Sequence, residues 1–227
     1  MSYKFDFNGV LAQWPLFLHG AWLTVQLSVS ATLLGFLIGT LCAIGRGSRN
    51  PWIARACSLY VESIRNTPLL VQIFIVYFGL ASLGWKVPAY GAAIAALVIN
   101  IGAYTTEIMR AGIDSIHKGQ IEAAQCLALS KMQVYWHVIL RPAMERVYPA
   151  LTSQFVLLML ASSITSQISA EELTAIANRV QSDTYRSFET YIVVAVFYLL
   201  LSLAMRASFW AIGQAVFTRR RRLGTPM

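Results

Sequence analysis

The sequence predicts an all-α membrane protein with about five transmembrane helices, its N-terminus outside and its C-terminus in the cytoplasm. Three observations carry this. Only 12% of the 227 residues are charged and 57% are apolar, against about 25% charged in an ordinary soluble domain. The few charges are clustered, so that 7–45, 66–85, 87–106, 147–170 and 190–205 contain no Asp, Glu, Lys or Arg. The basic residues, finally, fall mainly on one side of the spans those runs define. The same deficit of charge disfavours a water-soluble enzyme, a disordered chain and a collagen-like chain.

A spanning helix needs about 20 mostly apolar residues. The charge-free runs give spans at about 22–45, 66–84, 91–110, 149–169 and 190–212, with Arg206 interrupting the last and read as snorkelling to the interface or ending the span. Residues 1–21, with Asn8, Gly9 and Pro15, read as an interfacial lead-in. The basic start and compact apolar stretch of a cleavable signal peptide are missing. With the N-terminus outside, the cytoplasmic side holds Arg46, Arg49, Arg55, Arg110, Lys118, Lys131, Arg141, Arg146 and Arg219 to Arg222. The outer side holds only Lys4, Lys86, Arg179 and Arg186, the asymmetry of a cytoplasmic C-terminus. The net charge of +8 therefore belongs to topology, and the basic tail within 213–227 reads as an anchor beside anionic lipid rather than a nucleic-acid arm. Cys42, Cys57 and Cys126 form no CxxC pair and read as small core residues.

The connections carry helix signals. Asn50-Pro51 reads as a cap followed by proline in a first turn, and Thr67-Pro68 as a restart that bends the chain near Arg65. Between spans four and five, the polar outer loop 170–189 has Leu173, Ile176, Ala177 and Val180 at helical spacing, which predicts a short surface helix. The cytoplasmic loop 111–147 is too apolar for a flexible linker and too short for a domain. Its stretch from Gln120 to Leu129 is rich in helix formers. Ser130 and Gln133 form an S-x-x-Q capping box that opens a second helix, which Pro142 is expected to end or kink near Leu140. Ala123, Ala124 and Ala128 give the first helix a face of little bulk. Two readings stand on these residues alone: a docking surface, and an inert hairpin covering the membrane face.

Ile121-Glu122-Ala123-Ala124, followed by residues 130–142, resembles the EAA loop of ABC-transporter permeases. Together with ESIRNTPLLVQIFIVY at 62–77 and NIGAYTTEIMRAGIDSIHKGQ at 100–120, the chain resembles the polar amino-acid uptake permeases of the histidine/glutamine/arginine type over nearly its whole length. It departs from them at Ala128, where glycine is usual, and at Arg141, where the loop's proline normally falls. Leu160-Ala161 stand where relatives often carry a polar or charged pair.

The resemblance implies a type I ABC importer in a bacterial inner membrane, its N-terminus periplasmic. Two permease subunits, two ATPase subunits and a periplasmic solute-binding protein would make up the assembly. This chain has no phosphate-binding loop, so it is expected to bind no cofactor and catalyse nothing itself, with ATP and Mg on the ATPase partner. The loop at 119–142 would be the coupling element, with Gly119, Glu122, Ala123, Ala124, Ala128 and Ser130 as its residues. A substrate route through the membrane needs polar groups, which are costly there unless paired or facing a water-filled path. Asn100, Tyr104 and Glu107, spaced i, i+4, i+7, share a face of span three, although Glu107 also suits pairing with Arg110 or Arg65. Ser162, Ser163, Thr165, Ser166 and Gln167 would complete the pocket or pack helix on helix. Glu171 and Glu172 suit the solute-binding protein, an outer gate or a solvated acidic turn. The uncharged Leu160-Ala161 favours a heterodimer of permeases over a homodimer. The alternatives are a membrane-embedded enzyme, although His19, His117 and His137 fall in no catalytic motif, and an ATP-independent channel subunit, which would need no ordered cytoplasmic lever.

Overall fold

A computed structural model describes residues 4–217. The basic run Arg219 to Arg222 therefore lies outside the described residues. After a single turn, α1 (Asn8–Leu11), comes a 33-residue helix, α2 (Trp14–Arg46). It begins well before residue 22, because Pro15 occupies its first turn, where a missing N–H costs nothing. Residues 14–21 of the expected lead-in are thus helical and continuous with the rest of α2.

Asn50 caps α3 (Pro51–Arg65) as its sequence predicts, its side-chain oxygen accepting from the Trp52 backbone N–H at 3.0 Å. Pro68 then excludes helical backbone at the preceding residue, and α4 (Leu69–Ser82) restarts at 111° to α3. This shortens the expected second span. At 1.5 Å per residue, the 14 residues of α4 cover about 21 Å, less than the ~30 Å of hydrocarbon. Four helices among the described residues are long and apolar enough to cross a membrane, and a fifth only when the bent pair is taken as one span.

Central to the bundle is α5 (Ala89–Asp114), packed on α2, α3 and α4. Gly35 and Gly39, one helical turn apart on α2, let the α2 and α5 backbones touch. A Cβ at Gly39 would lie 2.7 Å from the Gly102 carbonyl oxygen and 2.5 Å from Thr105 Cβ. Leu27, Ile73, Leu97, Ile101, Met109 and Leu158 fill the larger apolar core around this crossing.

The cytoplasmic segment folds as α6 (Lys118–Cys126) and α7 (Lys131–Gln133). From α7 the chain winds as a π-helix over Val134–Leu140 and continues without a break into α8 (Arg141–Ala161). Pro142 does not end the helix. It falls in the first turn of α8, directly after the wide π-turns, and the slack of i→i+5 bonding leaves room for a ring that would clash with an α-helical carbonyl. Cys126 is exposed rather than in the core, because α6 buries only Ala124.

Span four tightens at its outer end into a 3₁₀ helix, Ser162–Ile168, and the expected surface helix follows as α9 (Leu173–Thr184), then α10 (Ser187–Val216). The predicted stripe of Leu173, Ile176, Ala177 and Val180 is buried against Val10, Phe17 and Phe197 in a second core. At this end Arg186 donates to the Lys4 carbonyl and Asp6 N–H to Glu189, while Arg46, Arg65 and Arg110 gather at the other. The two ends match the outer and cytoplasmic sides read from the basic residues.

Candidate functional site

The cytoplasmic hairpin is stiffened at every turn. His117 Nδ1 accepts from Gly119 N–H at 3.2 Å and caps α6. At the far end, Ala128 N–H donates to the Gln125 carbonyl at 2.9 Å and Leu129 N–H to the Ala124 carbonyl at 3.2 Å, the paired bonds of a Schellman turn. Ser130 Oγ accepts from Gln133 N–H, and Gln133 Oε1 accepts from Ser130 N–H at 2.8 Å, so the predicted capping box is complete. Arg146 reaches back to the Ser115 carbonyl and hydroxyl, tying the hairpin's root to α8.

The low-bulk face expected on α6 is not formed as read. Ala124 is buried inside the chain, and Ala128 lies beyond the helix in a left-handed conformation, φ 57°. Glu122 and Ala123 are exposed and Gly119 is half-buried. The surface instead carries Leu127 at 76%, Met132 at 75% and Trp136 at 58% exposure. Their signal was present in the sequence, as apolar residues on either side of the Ser130 cap.

Asn100, Tyr104 and Glu107 do share a face of α5, and that face meets the α3–α4 elbow. Asn100 Nδ2 donates to Gln72 Oε1 at 2.9 Å. Gln72 Nε2 in turn donates to the carbonyls of Ile64 and Thr67 at 2.7 and 3.0 Å and to the Thr67 hydroxyl. Breaking a helix orphans its last carbonyls: Asn66 and Thr67 take those of Glu62 and Ser63, and the buried Gln72 amide takes that of Ile64. Glu107 pairs with Arg46, with Arg65 at 3.7 Å and with Arg110 at 3.8 Å. The Arg65 guanidinium also lies 5.8 Å from the Tyr104 ring centre, close enough for a cation–π contact. The polar groups of Asn100 and Glu107 are both engaged, and Tyr104 is engaged through its ring. Gln72 and Arg46 are the members sequence reasoning missed.

In span four, the hydroxyls of Ser162, Ser163, Thr165 and Ser166 each donate to the carbonyl three residues earlier, at 2.7–2.8 Å. Each keeps its acceptor lone pairs. Ser162 and Thr165 are fully buried, Ser163 and Ser166 half-buried, and Gln167 exposed.

Glu171 is exposed, but Glu172 is fully buried. It is the N-cap of α9: Oε1 accepts from Ala175 N–H at 2.9 Å and Oε2 from the Tyr198 hydroxyl at 2.7 Å. Burial raises its carboxyl pKa against the opposing pull of these bonds. A solvated turn or an exposed contact is therefore excluded for Glu172. Glutamate is an uncommon cap, which is why its role did not read from the sequence.

Comparison with known proteins agrees with this architecture. Residues 35–218 match the family described as "binding-protein-dependent transport system inner membrane component". The chain is 33% identical over 213 residues to the octopine transport system permease protein OccM of Rhizobium radiobacter, covering 90% of this chain and 87% of that one. It is 35% identical over 205 residues to the glutamine transport system permease protein GlnP of Escherichia coli K12, covering 89% and 93%. A crystal structure of an amino acid ABC transporter superposes with TM-score 0.86 at 36% identity, over 94% of this chain and all of that one. The MetNI methionine ABC transporter shares the fold, at 21% identity and TM-score 0.76 over 90% of this chain and 98% of that one. With the capped cytoplasmic hairpin and the apolar spans, these likenesses identify the chain as a member of the binding-protein-dependent inner-membrane permeases of ABC importers, in the polar amino-acid family.

Proposed function

We propose that this permease carries a polar amino acid across the bacterial inner membrane, receiving it from a periplasmic solute-binding protein and drawing energy from ATPase chains that dock on the hairpin at 118–140. The single observation that carries the coupling role is the trio Leu127, Met132 and Trp136, exposed at the tip of a support capped at His117 and Ser130. A lever must transmit displacement without bending, and its caps supply that stiffness. Glu122 and Ala123, exposed on the same helix, and Gly119 and Ser130 at its flanks complete the seat. Ala124 acts from inside, by packing α6 onto the segment after Ser130. The chain itself catalyses nothing and holds no nucleotide; ATP and Mg belong to the ATPase.

For the route, Ser163, Ser166 and Gln167 are the groups with free capacity. Hydroxyls that donate to their own helix still offer lone pairs, which suit a substrate ammonium; buried Ser162 and Thr165 shape the wall behind them. Asn100, Tyr104 and Glu107 act on the route indirectly, by fixing the elbow. Glu171 faces the solute-binding protein. The uncharged stretch around Leu160-Ala161 favours pairing with a second, different permease chain. Relatives named for octopine and glutamine support an amino-acid substrate with polar ends.

The test replaces Leu127 and Met132 each with Asp in the assembled transporter. Uptake and transport-stimulated ATP hydrolysis should fall at least about tenfold, since burying an unpaired charge costs well over 1.4 kcal/mol, with the membrane level unchanged. Normal uptake by both variants would reject the docking assignment. Binding of each amino acid to the cognate solute receptor would identify the substrate.

A further inference from the structure

Arg206 is a cation within a spanning helix that the transport reading leaves unused. The 30 residues of α10 measure about 45 Å, the full thickness of a bilayer with its headgroups. The middle ~30 Å of hydrocarbon then leaves Arg206 roughly 8 Å inside the cytoplasmic boundary, counting from Val216 at ~1.5 Å per residue. A bare guanidinium there is costly. Among the described residues Arg206 pairs with no carboxylate, and it is exposed on the surface of the chain.

Arg206 opens onto a groove of about 230 Å³ between α8 and α10. Tyr148, Thr152 and Ser153 line one wall, and Phe209 and Trp210 the other. Tyr148 OH donates to the Phe209 carbonyl at 2.6 Å, bolting the helices together at the groove's root, and Thr152 Oγ1 donates to the Pro149 carbonyl. Exposed Ser153, exposed Trp210 with its indole N–H, and the guanidinium remain as donors. Three kinds of donor around one cavity, one of them positively charged, suit a phosphate. The volume is too small for a whole lipid but holds a headgroup. On the other side of Phe209 lies a larger groove of about 350 Å³, lined by Val29, Leu33, Leu201 and Met205 among others, which is apolar enough to lay an acyl chain against.

We propose that this groove is a binding site for an anionic phospholipid of the cytoplasmic leaflet. Arg206 snorkels to the phosphate, Ser153 and Trp210 donate beside it, and the acyl chains run outward along α10. The charge sign, the depth on the cytoplasmic half and the adjoining apolar groove all select a lipid over a free anion, which would gain nothing from the second groove. The lipid also explains how an arginine is tolerated at this depth: its counter-ion comes from the bilayer.

The test uses the purified full-length chain in detergent, titrated with phosphatidylglycerol or phosphatidylcholine of identical acyl chains and read by native mass spectrometry. The wild-type chain should retain phosphatidylglycerol about fivefold more tightly, and equal retention of the two lipids would overturn the site whatever any variant does. Arg206→Gln should erase the preference, and so should the pair Arg206→Gln/Ala207→Arg, which restores net charge one position away from the groove. Retention of the preference by either would mean that no localised site exists. A photo-crosslinker at position 153 in native membranes should label lipid; a crosslink to another polypeptide in its place would assign the groove to a protein interface and end the lipid proposal.

Discussion

Asn100 and Gln72 meet across the bundle at 2.9 Å, and through them the central helix α5 holds the broken end of α3. The donor side of Gln72 closes on the Ile64 and Thr67 carbonyls, so one buried amide braces the 111° bend that Pro68 imposes. Gln72→Leu should destabilise the chain by about 1–3 kcal/mol for the orphaned groups. Asn100→Leu should cost less, since the elbow's own bonds to Gln72 survive. Thermal unfolding in detergent checks the order of the two. Equal melting temperatures for both variants and the wild type would show that the amide pair does not hold the bend.

Ala128 bears on the cytoplasmic hairpin. Its φ of 57° is a conformation that costs a residue with a Cβ roughly 1 kcal/mol and glycine almost nothing. Ala128→Gly should therefore stabilise the hairpin by up to about 1 kcal/mol, while Ala128→Val should destabilise it by more. Hydrogen exchange at the Leu129 amide, which closes the Schellman turn, reports both. Faster exchange in the glycine variant than in the wild type would contradict the strain argument.

That position also marks how far the sequence could be read. The resemblance pointed to a glycine at Ala128, but helix-former composition alone placed the alanine within the first helix. Left-handed backbone is a property of the turn, and alanine carries no local signal for it. The caps at Asn50 and Ser130 and the buried stripe of α9 were legible because each depends on residues within one or two turns. Glu172 was not, since glutamate is an uncommon cap and its other partner, Tyr198, lies 26 residues away, nor was Gln72, whose partner Asn100 lies 28 residues away. The spacing of Asn100, Tyr104 and Glu107 was read correctly as one face; what that face meets depends on the elbow, which only the fold supplies.

Glu107 faces three guanidiniums, and Arg110, the most exposed of them, also holds Asp114 at 3.1 Å. The Arg46 contact is the best shielded, with its side chain 16% exposed against 42% for Arg65 and 44% for Arg110. Shielded pairs resist screening and exposed ones contribute little. Glu107→Gln should cost about 1–3 kcal/mol, between exposed and fully buried pairs, and Arg110→Gln under about 1 kcal/mol. In a double-mutant cycle, Arg46→Ala with Glu107→Ala should cost less than the sum of the two singles. Additive losses would mean that Arg46 and Glu107 do not depend on each other.

Glu172 predicts a pH dependence at the outer end. Its carboxyl is raised by burial, so the folded chain binds a proton at higher pH than the unfolded chain, whose glutamate titrates near ~4.3. Where the folded state binds more protons, stability falls as pH rises. The contribution is therefore complete below about pH 4 and is lost as pH climbs through the raised value. Glutamine at this position is neutral throughout and keeps a carbonyl to accept from Ala175 N–H. The Glu172→Gln variant should thus lack this part of the pH slope. Unfolding of both proteins in detergent, followed from pH 4 to pH 8, should give a wild type that loses stability relative to the variant as pH increases. A wild type that instead gains on the variant over that range would place the carboxyl below its ordinary value, with the Tyr198 and Ala175 hydrogen bonds outweighing its burial.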